Sequence, residues 1–214
     1  MITIYGSTVS PFVRKTLVIA DEKGVEYELQ PANMLNPSEE YLQASPFKKM
    51  PAMRDGDFTV SDSTAIITYL EAIKPEPSMI PTEAKARATA IWYEEFGDTI
   101  VSGCGTAIFF NRFVSPVVFK RPGDEAAADK AETEALPPIM DYLEAKVTPG
   151  GYLVEDRFTL ADAAVASPFV NLAYLNVRPD PAKYPKLTAW LAHILGRRSF
   201  AKYVEQDQRF FKAA

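Results

Sequence analysis

The chain has 214 residues, 47% of them hydrophobic, and a formal net charge of −5 at pH 7. That is enough apolar material for a real core, which excludes disorder, and the acidic balance excludes nucleic acid as a partner of the bulk surface, because phosphate binding needs a basic face. Cys104 is the only cysteine and His193 the only histidine, which leaves no internal disulfide, too few ligands for a cysteine-based metal site, and no Ser-His-Asp triad without His193.

The N-terminus runs straight into Ile2-Thr3-Ile4-Tyr5, a short buried strand, with no basic region followed by a long apolar stretch. Ser10 then opens an amphipathic helix that runs to Lys23. Ser is a preferred N-cap, Pro11 a preferred first helical residue, and Val13, Leu17 and Ala20 share one stripe. Gly24 ends the helix and residues 25–30 read as a second strand, so the opening is β-α-β, the unit of a parallel pair. A short helix starts at Asn36-Pro37-Ser38 and runs through Leu42. Pro51-Ala52-Met53-Arg54, the pair Asp55-Gly56 and Phe58-Thr59-Val60 read as a hairpin. Asp62-Ser63 precedes a helix over residues 64–73. The order is β-α-β-α-β-β-α.

Three prolines fall between Lys74 and Pro81, an extended linker. Everything after it reads as helix: residues 83–113, residues 124–147, a third helix from Thr159, a fourth near Tyr184 and a short fifth near Ser199. The boundaries are an α/β domain at residues 1–75, a linker at 76–83 and an all-helical domain at 84–214. No run approaches 18 apolar residues, so no membrane span is expected. Thr159 and Asp162 have the spacing of a capping box, with Phe158 in the staple position, and read as a folding device.

Ser10 lies where unpaired backbone N–H groups and the positive end of a helix dipole converge. Such a place stabilises an anion and lowers the pKa of a thiol brought to it. In thioredoxin-like redox proteins it is held by a Cys of a Cys-x-x-Cys pair. Here Ser10 and Val13 stand there, so dithiol exchange is closed to this chain, but it could hold another molecule's thiolate. A plain N-cap is the competing reading, and Ser7 and Thr8 are close enough to compete for the role.

Four separated pieces carry a resemblance over nearly the whole chain: Ser10-Pro11-Phe12-Val13-Arg14-Lys15, Lys49-Met50-Pro51-Ala52-Met53, Asp62-Ser63-Thr64-Ala65-Ile66, and Phe158-Thr159-Leu160-Ala161-Asp162-Ala163. In this order they resemble the cytosolic glutathione transferase family, in its serine-type, bacterial-like form. The resemblance implies a thioredoxin-like N-terminal domain and a helical-bundle C-terminal domain. It also implies a cytoplasmic, twofold homodimer that conjugates glutathione to small apolar electrophiles, a detoxification chemistry that needs no metal.

The resemblance assigns the residues as well. Ser10 would donate a hydrogen bond to the glutathione sulfur. Lowering a thiol by about 2 units from ~8.5 takes roughly 2.7 kcal/mol. A hydroxyl bond to a charged acceptor supplies about 1.5–3 kcal/mol, and the helix start about 0.3–1, so no further base is needed. Asp62 and Ser63 would hold the γ-glutamyl group. Met50-Pro51 matches the family's cis-proline step, where the backbone of the preceding residue pairs with the ligand like an added strand, and Lys49 is expected near the ligand's anionic end. The electrophile is expected between the two halves, against Val9, Phe12 and Met34 from the first and Ile108, Phe109 and Arg112 from the second. The glycines of Gly103-Cys104-Gly105 cost about 2 kcal/mol in a helix, which a close approach of backbone to a ligand or another helix would explain. Cys104 and His193 read as structural, and Phe47 as either a local core residue or an aromatic that inserts into a partner subunit.

Some features depart from the family. Ser45 stands where asparagine is often found before Pro46, and Asn36-Pro37-Ser38 lacks a lysine that some serine-type members carry. The serine- and cysteine-rich loop of the maleylacetoacetate-isomerase branch is absent, which argues against that activity. Two other classes of function fit the fold: a non-catalytic interaction module, and a glutathione-dependent peroxidase or reductase.

Overall fold

The computed structural model describes residues 1–33, 35–148 and 150–213, with side chains as far as residue 208. The chain divides into two compact units, Met1–Ile80 and Pro81–Ala214.

In the first unit, β1 (Ile2–Gly6) pairs in parallel with β2 (Tyr27–Pro31). On its other side β1 pairs antiparallel with β3 (Ala52–Asp55), which forms a hairpin with β4 (Phe58–Ser61). The sheet order is β2-β1-β3-β4. Asp55 pairs with Phe58, so the two-residue turn is Gly56-Asp57, with Gly56 at φ 58°. The turn falls one residue later than the Asp-Gly pair suggests, because the glycine takes its first position.

Residue alternation gives the sheet two buried faces. Tyr5 and Ala52 pack with Tyr41 and Ala44 of α2 (Glu39–Ala44). Ile4 and Met53 point the other way and are fully buried. α1 (Pro11–Glu22) and α3 (Ser63–Ile73) pack together, and Val13, Leu17 and Val18 of the one and Ile66, Ile67 and Leu70 of the other are fully buried.

The proline-rich segment is docked onto this unit instead of running free. Lys23, fully buried at its side chain, donates to Glu71 Oε1 at 2.6 Å and to the Pro77 carbonyl at 2.9 Å. Glu71 Oε1 also accepts the Met79 N–H at 2.9 Å. Lys74 Nζ donates to the Gly24 carbonyl at 2.7 Å, at the end of α1. Met79 and Ile80 are buried.

The second unit is helical: α4 (Ala84–Val118), α5 (residues 125–146), α6 (Leu160–Tyr174), α7 (Pro185–Leu195) and α8 (Arg198–Ala213). α6 is the centre, buried at every residue from Leu160 to Leu172. Asp162 organises its start. Its carboxylate accepts the N–H groups of Thr159 and Leu153, both at 2.9 Å, and the Thr159 hydroxyl at 3.2 Å. Burial raises its pKa to about 6, against the opposing pull of those donors.

Three expectations are corrected here. First, α4 continues to Val118, past residue 113, because its last nine residues form wider i→i+5 turns around Pro116, a geometry that accommodates a residue with no N–H to donate. Second, against the expectation that no run approaches that length, α4 holds an 18-residue window of mean hydropathy 1.2, long and apolar enough by composition to cross a membrane; in this unit the helix packs along α6. Third, the last helix is 16 residues long, not short, with Phe200, Tyr203 and Asp207 buried on one face.

The close helix approach also falls elsewhere than at Gly103 and Gly105. A Cβ on Gly103 would meet nothing within 4 Å, and one on Gly105 only Pro168 at 3.7 Å. On Gly97 it would stand 2.7 Å from the carbonyl carbon and oxygen of Ala164, so Gly97 is where α4 and α6 close together. Between the two glycines Cys104 is buried, its thiol pushed up to about 11 by desolvation. His193 packs edge-on to Tyr152 at 5.1 Å.

Candidate functional site

The strand register gathers three of the sequence pieces. Tyr5, at the end of β1, pairs with Ala52, and Ala52 pairs with Ser61. Ser10 follows β1 by a short loop, Pro51 immediately precedes Ala52, and Asp62 immediately follows Ser61. All three therefore hang from neighbouring strand ends. The Asp62 N–H donates to the Pro51 carbonyl at 3.2 Å, and the Met50–Pro51 peptide is cis.

Ser10 is half-buried and caps α1. Its backbone is fixed on both sides: its N–H donates to the Ser7 carbonyl and its own carbonyl accepts the Arg14 N–H, both at 2.9 Å. Its Oγ accepts the Val13 N–H at 3.5 Å, the outer limit of a hydrogen bond. The hydroxyl is thus held in place but weakly used. Of its competitors, Thr8 is buried and Ser7 exposed. Arg14, fully buried beneath the loop, donates to the Val9 carbonyl at 3.4 Å.

Asp62 caps α3. Its carboxylate accepts the Ala65 N–H at 3.0 Å, and its φ of 97° is outside the range that a non-glycine residue usually adopts. The Asp62 side chain is exposed and Ser63 is buried. Lys49 is exposed and Met50 half-buried. Ser45, which the sequence marked only as a departure, contacts Lys49 twice: its Oγ accepts the Lys49 N–H at 2.9 Å and donates to the Lys49 carbonyl at 2.7 Å.

The residues named for the electrophile fare differently. Val9 and Phe12 are half-buried beside Ser10. Met34 lies outside the described residues. Ile108 is fully buried and Phe109 is 6% exposed, so Ile108 is a core residue and has no surface to offer a ligand. Arg112 is bound by three carboxylates: Glu125 and Asp129, each at 2.7 Å, and Glu132. Its charge is spent on holding α4 to α5. Among the described residues no group of three or more His, Cys, Asp and Glu is placed to hold a metal.

Comparison with known proteins bears on the family and the fold. Residues 4–78 match the model of the glutathione S-transferase N-terminal domain, and residues 109–207 that of the C-terminal domain. A glutathione S-transferase of Hyoscyamus muticus is 28% identical over 211 residues, covering 96% of this chain and 98% of that protein. A glutathione S-transferase structure from Rhodospirillum rubrum superposes with a TM-score of 0.85 at 24% identity, over 95% of this chain and 91% of the other. A structure of glutathione S-transferase-I bound with lactoylglutathione is 25% identical, with a TM-score of 0.81, over 95% of this chain and 98% of that one. The chain belongs to the glutathione S-transferase family.

Proposed function

We propose that this protein is a serine-type glutathione transferase. It binds glutathione in the first unit, holds the thiol as thiolate with Ser10, and delivers the sulfur to a small apolar electrophile. The thiol gives its proton to solvent, a carbon–sulfur bond forms, and the electrophile's leaving group or π electrons take the displaced pair. No covalent enzyme intermediate is needed, since the enzyme acts by proximity and by activating the substrate's own nucleophile.

The observation that carries this reading is the Ser10 hydroxyl. It stands at a helix N-terminus, reachable, with one stretched bond of 3.5 Å. A sulfur anion there gains an O–H donor and a favourable dipole. The Met50 N–H and C=O take no hydrogen bond among the described residues, so an extended peptide can pair with them. Asp62 has a second carboxylate oxygen for the γ-glutamyl ammonium, and Ser63 and the α3 start suit the carboxylate. Exposed Lys49 suits the ligand's anionic end. The lactoylglutathione held by one relative supports a ligand of this class.

The proposal extends to a homodimer working in the reducing cytoplasm, consistent with a single buried thiol; sedimentation at micromolar concentration tests the dimer. The central test is ultraviolet thiolate absorbance during a glutathione titration near pH 7, on the unaltered chain and Ser10→Ala. A saturable signal that the substitution abolishes is the expected result. No signal at saturating glutathione would overturn the mechanism and favour a non-catalytic interaction module.

A further inference from the structure

The loop that carries Lys49 and Met50 is closed by one side chain. α2 ends at Ala44, and the Ser45 N–H donates to the Tyr41 carbonyl at 2.8 Å, so Ser45 is the last residue the helix fixes. The Lys48 N–H turns back to the Ser45 carbonyl at 2.9 Å, with Lys48 at φ 57°. The Ser45 hydroxyl then takes both backbone groups of Lys49, accepting its N–H at 2.9 Å and donating to its carbonyl at 2.7 Å. Ser45 is fully buried.

We infer that Ser45 is a positioning residue for glutathione, bracing the loop so that the Met50 backbone is presented before the ligand arrives. This rests on the reading of Met50 as the ligand's docking point. With both Lys49 groups engaged, the peptides on either side of Lys49 are held, and the Met50 N–H and C=O take no hydrogen bond among the described residues. The chain enters β3 two residues after Met50. Pairing an extended ligand with a loose loop would spend binding energy on ordering it; a braced loop avoids that loss. Water cannot replace a fully buried hydroxyl without rearrangement, so its removal leaves two Lys49 groups without partners. Ser45 is remote from the thiol chemistry in this scheme, so its loss acts on binding and leaves turnover alone.

The experiment compares the unaltered full chain with Ser45→Ala and Ser45→Asn. Asparagine offers both an acceptor and a donor and serves as the conservative rescue. The readouts are the glutathione Kd by calorimetry, KM and kcat with an activated aryl chloride, the pH midpoint of the thiolate signal, and amide hydrogen exchange at Lys49. In Ser45→Ala we expect Kd and KM for glutathione to rise roughly five- to tenfold. We also expect faster exchange at Lys49, with kcat at saturation and the pH midpoint unchanged. Ser45→Asn returns Kd to within about twofold of the unaltered chain. If Ser45→Ala does not fold, Ser45→Cys, which keeps the size but bonds weakly, carries the same comparison. A folded variant with an unshifted Kd, or one that loses kcat in step with binding, overturns the inference alone. Absence of glutathione binding by the unaltered chain overturns the functional reading and the inference with it.

Discussion

The starts of α1 and α6 are written in similar residues and have been put to different use. Ser10 caps α1 from a half-buried position, with its hydroxyl at the 3.5 Å limit of a bond to Val13. Asp162 and Thr159 begin α6 in full burial, with the carboxylate taking three donors at 2.9 to 3.2 Å. The second cap is saturated: every strong acceptor direction faces the chain itself. The first has capacity to spare and faces outward. Residue type does not separate a folding device from a binding group, but the unused hydrogen-bonding capacity does.

The contrast can be broken at either end, and Asp162 offers the largest effect. Asp162→Ala leaves two backbone N–H groups without their acceptor in a buried place, so we expect a loss of about 4 kcal/mol in denaturant unfolding. Glutathione binding by the folded fraction should be unchanged. A loss below about 1 kcal/mol would mean that the cap is not the device described.

Gly97 tests the packing that surrounds that cap. Gly97→Ala forces a Cβ to within 2.7 Å of the Ala164 backbone, and the strain should lower stability by about 3 kcal/mol, read as a drop in Tm.

The charge state of Asp162 gives a pH signature. Its folded pKa is raised to about 6 by burial, above the unfolded value. Between about pH 4 and pH 6 the native state therefore holds a proton that the unfolded state has lost. The group's contribution is greatest below pH 4 and is lost as pH rises through 6, the reverse of a salt-bridged carboxylate. Its size is of order 2–3 kcal/mol. Urea unfolding across this range should show the slope in the unaltered chain and not in Asp162→Asn.

Ser10→Ala should behave in the opposite manner to Asp162→Ala. We expect kcat/KM to fall roughly 10- to 100-fold, the worth of one hydroxyl bond to a charged acceptor, with stability changed by less than about 1 kcal/mol. A large stability loss with intact turnover would make Ser10 an ordinary cap. The smallest effect belongs to Gly103, where a Cβ meets only open space. Gly103→Ala should raise stability by about 1 kcal/mol through helix propensity alone, and unchanged kinetics would remove this position from the site.

The first unit was the more legible of the two. Ser10 and Asp62 sit where helices begin and Pro51 where a strand begins, and such places are marked by caps, prolines and changes of period. Ser45 left no such mark, because a hydroxyl reaching a backbone four residues on has no periodic signature. In the second unit the periodicity itself misled. A helix with wider turns shifts its faces, so positions near residues 110–118 cannot be assigned to a stripe by 3.6-residue counting. Arg112, read from the sequence as a pocket residue, is the hub of an ion-pair network that the sequence pattern did not suggest. Gly97 was equally silent, since only the neighbouring backbone reveals why a side chain is forbidden there.

The clamp formed by Lys23 and Glu71 bears on how this protein can be cut. A fragment ending at residue 75 would lose the Pro77 carbonyl and the Met79 N–H, both held at 2.9 Å by that pair. It would strip the Lys23 ammonium, fully buried in the whole chain, of one of its two acceptors, a cost for a charge held in the interior. The severance point that respects the chemistry lies after Ile80. Any dissection, circular permutation or grafting of the first unit should carry the proline-rich tail along as part of its body.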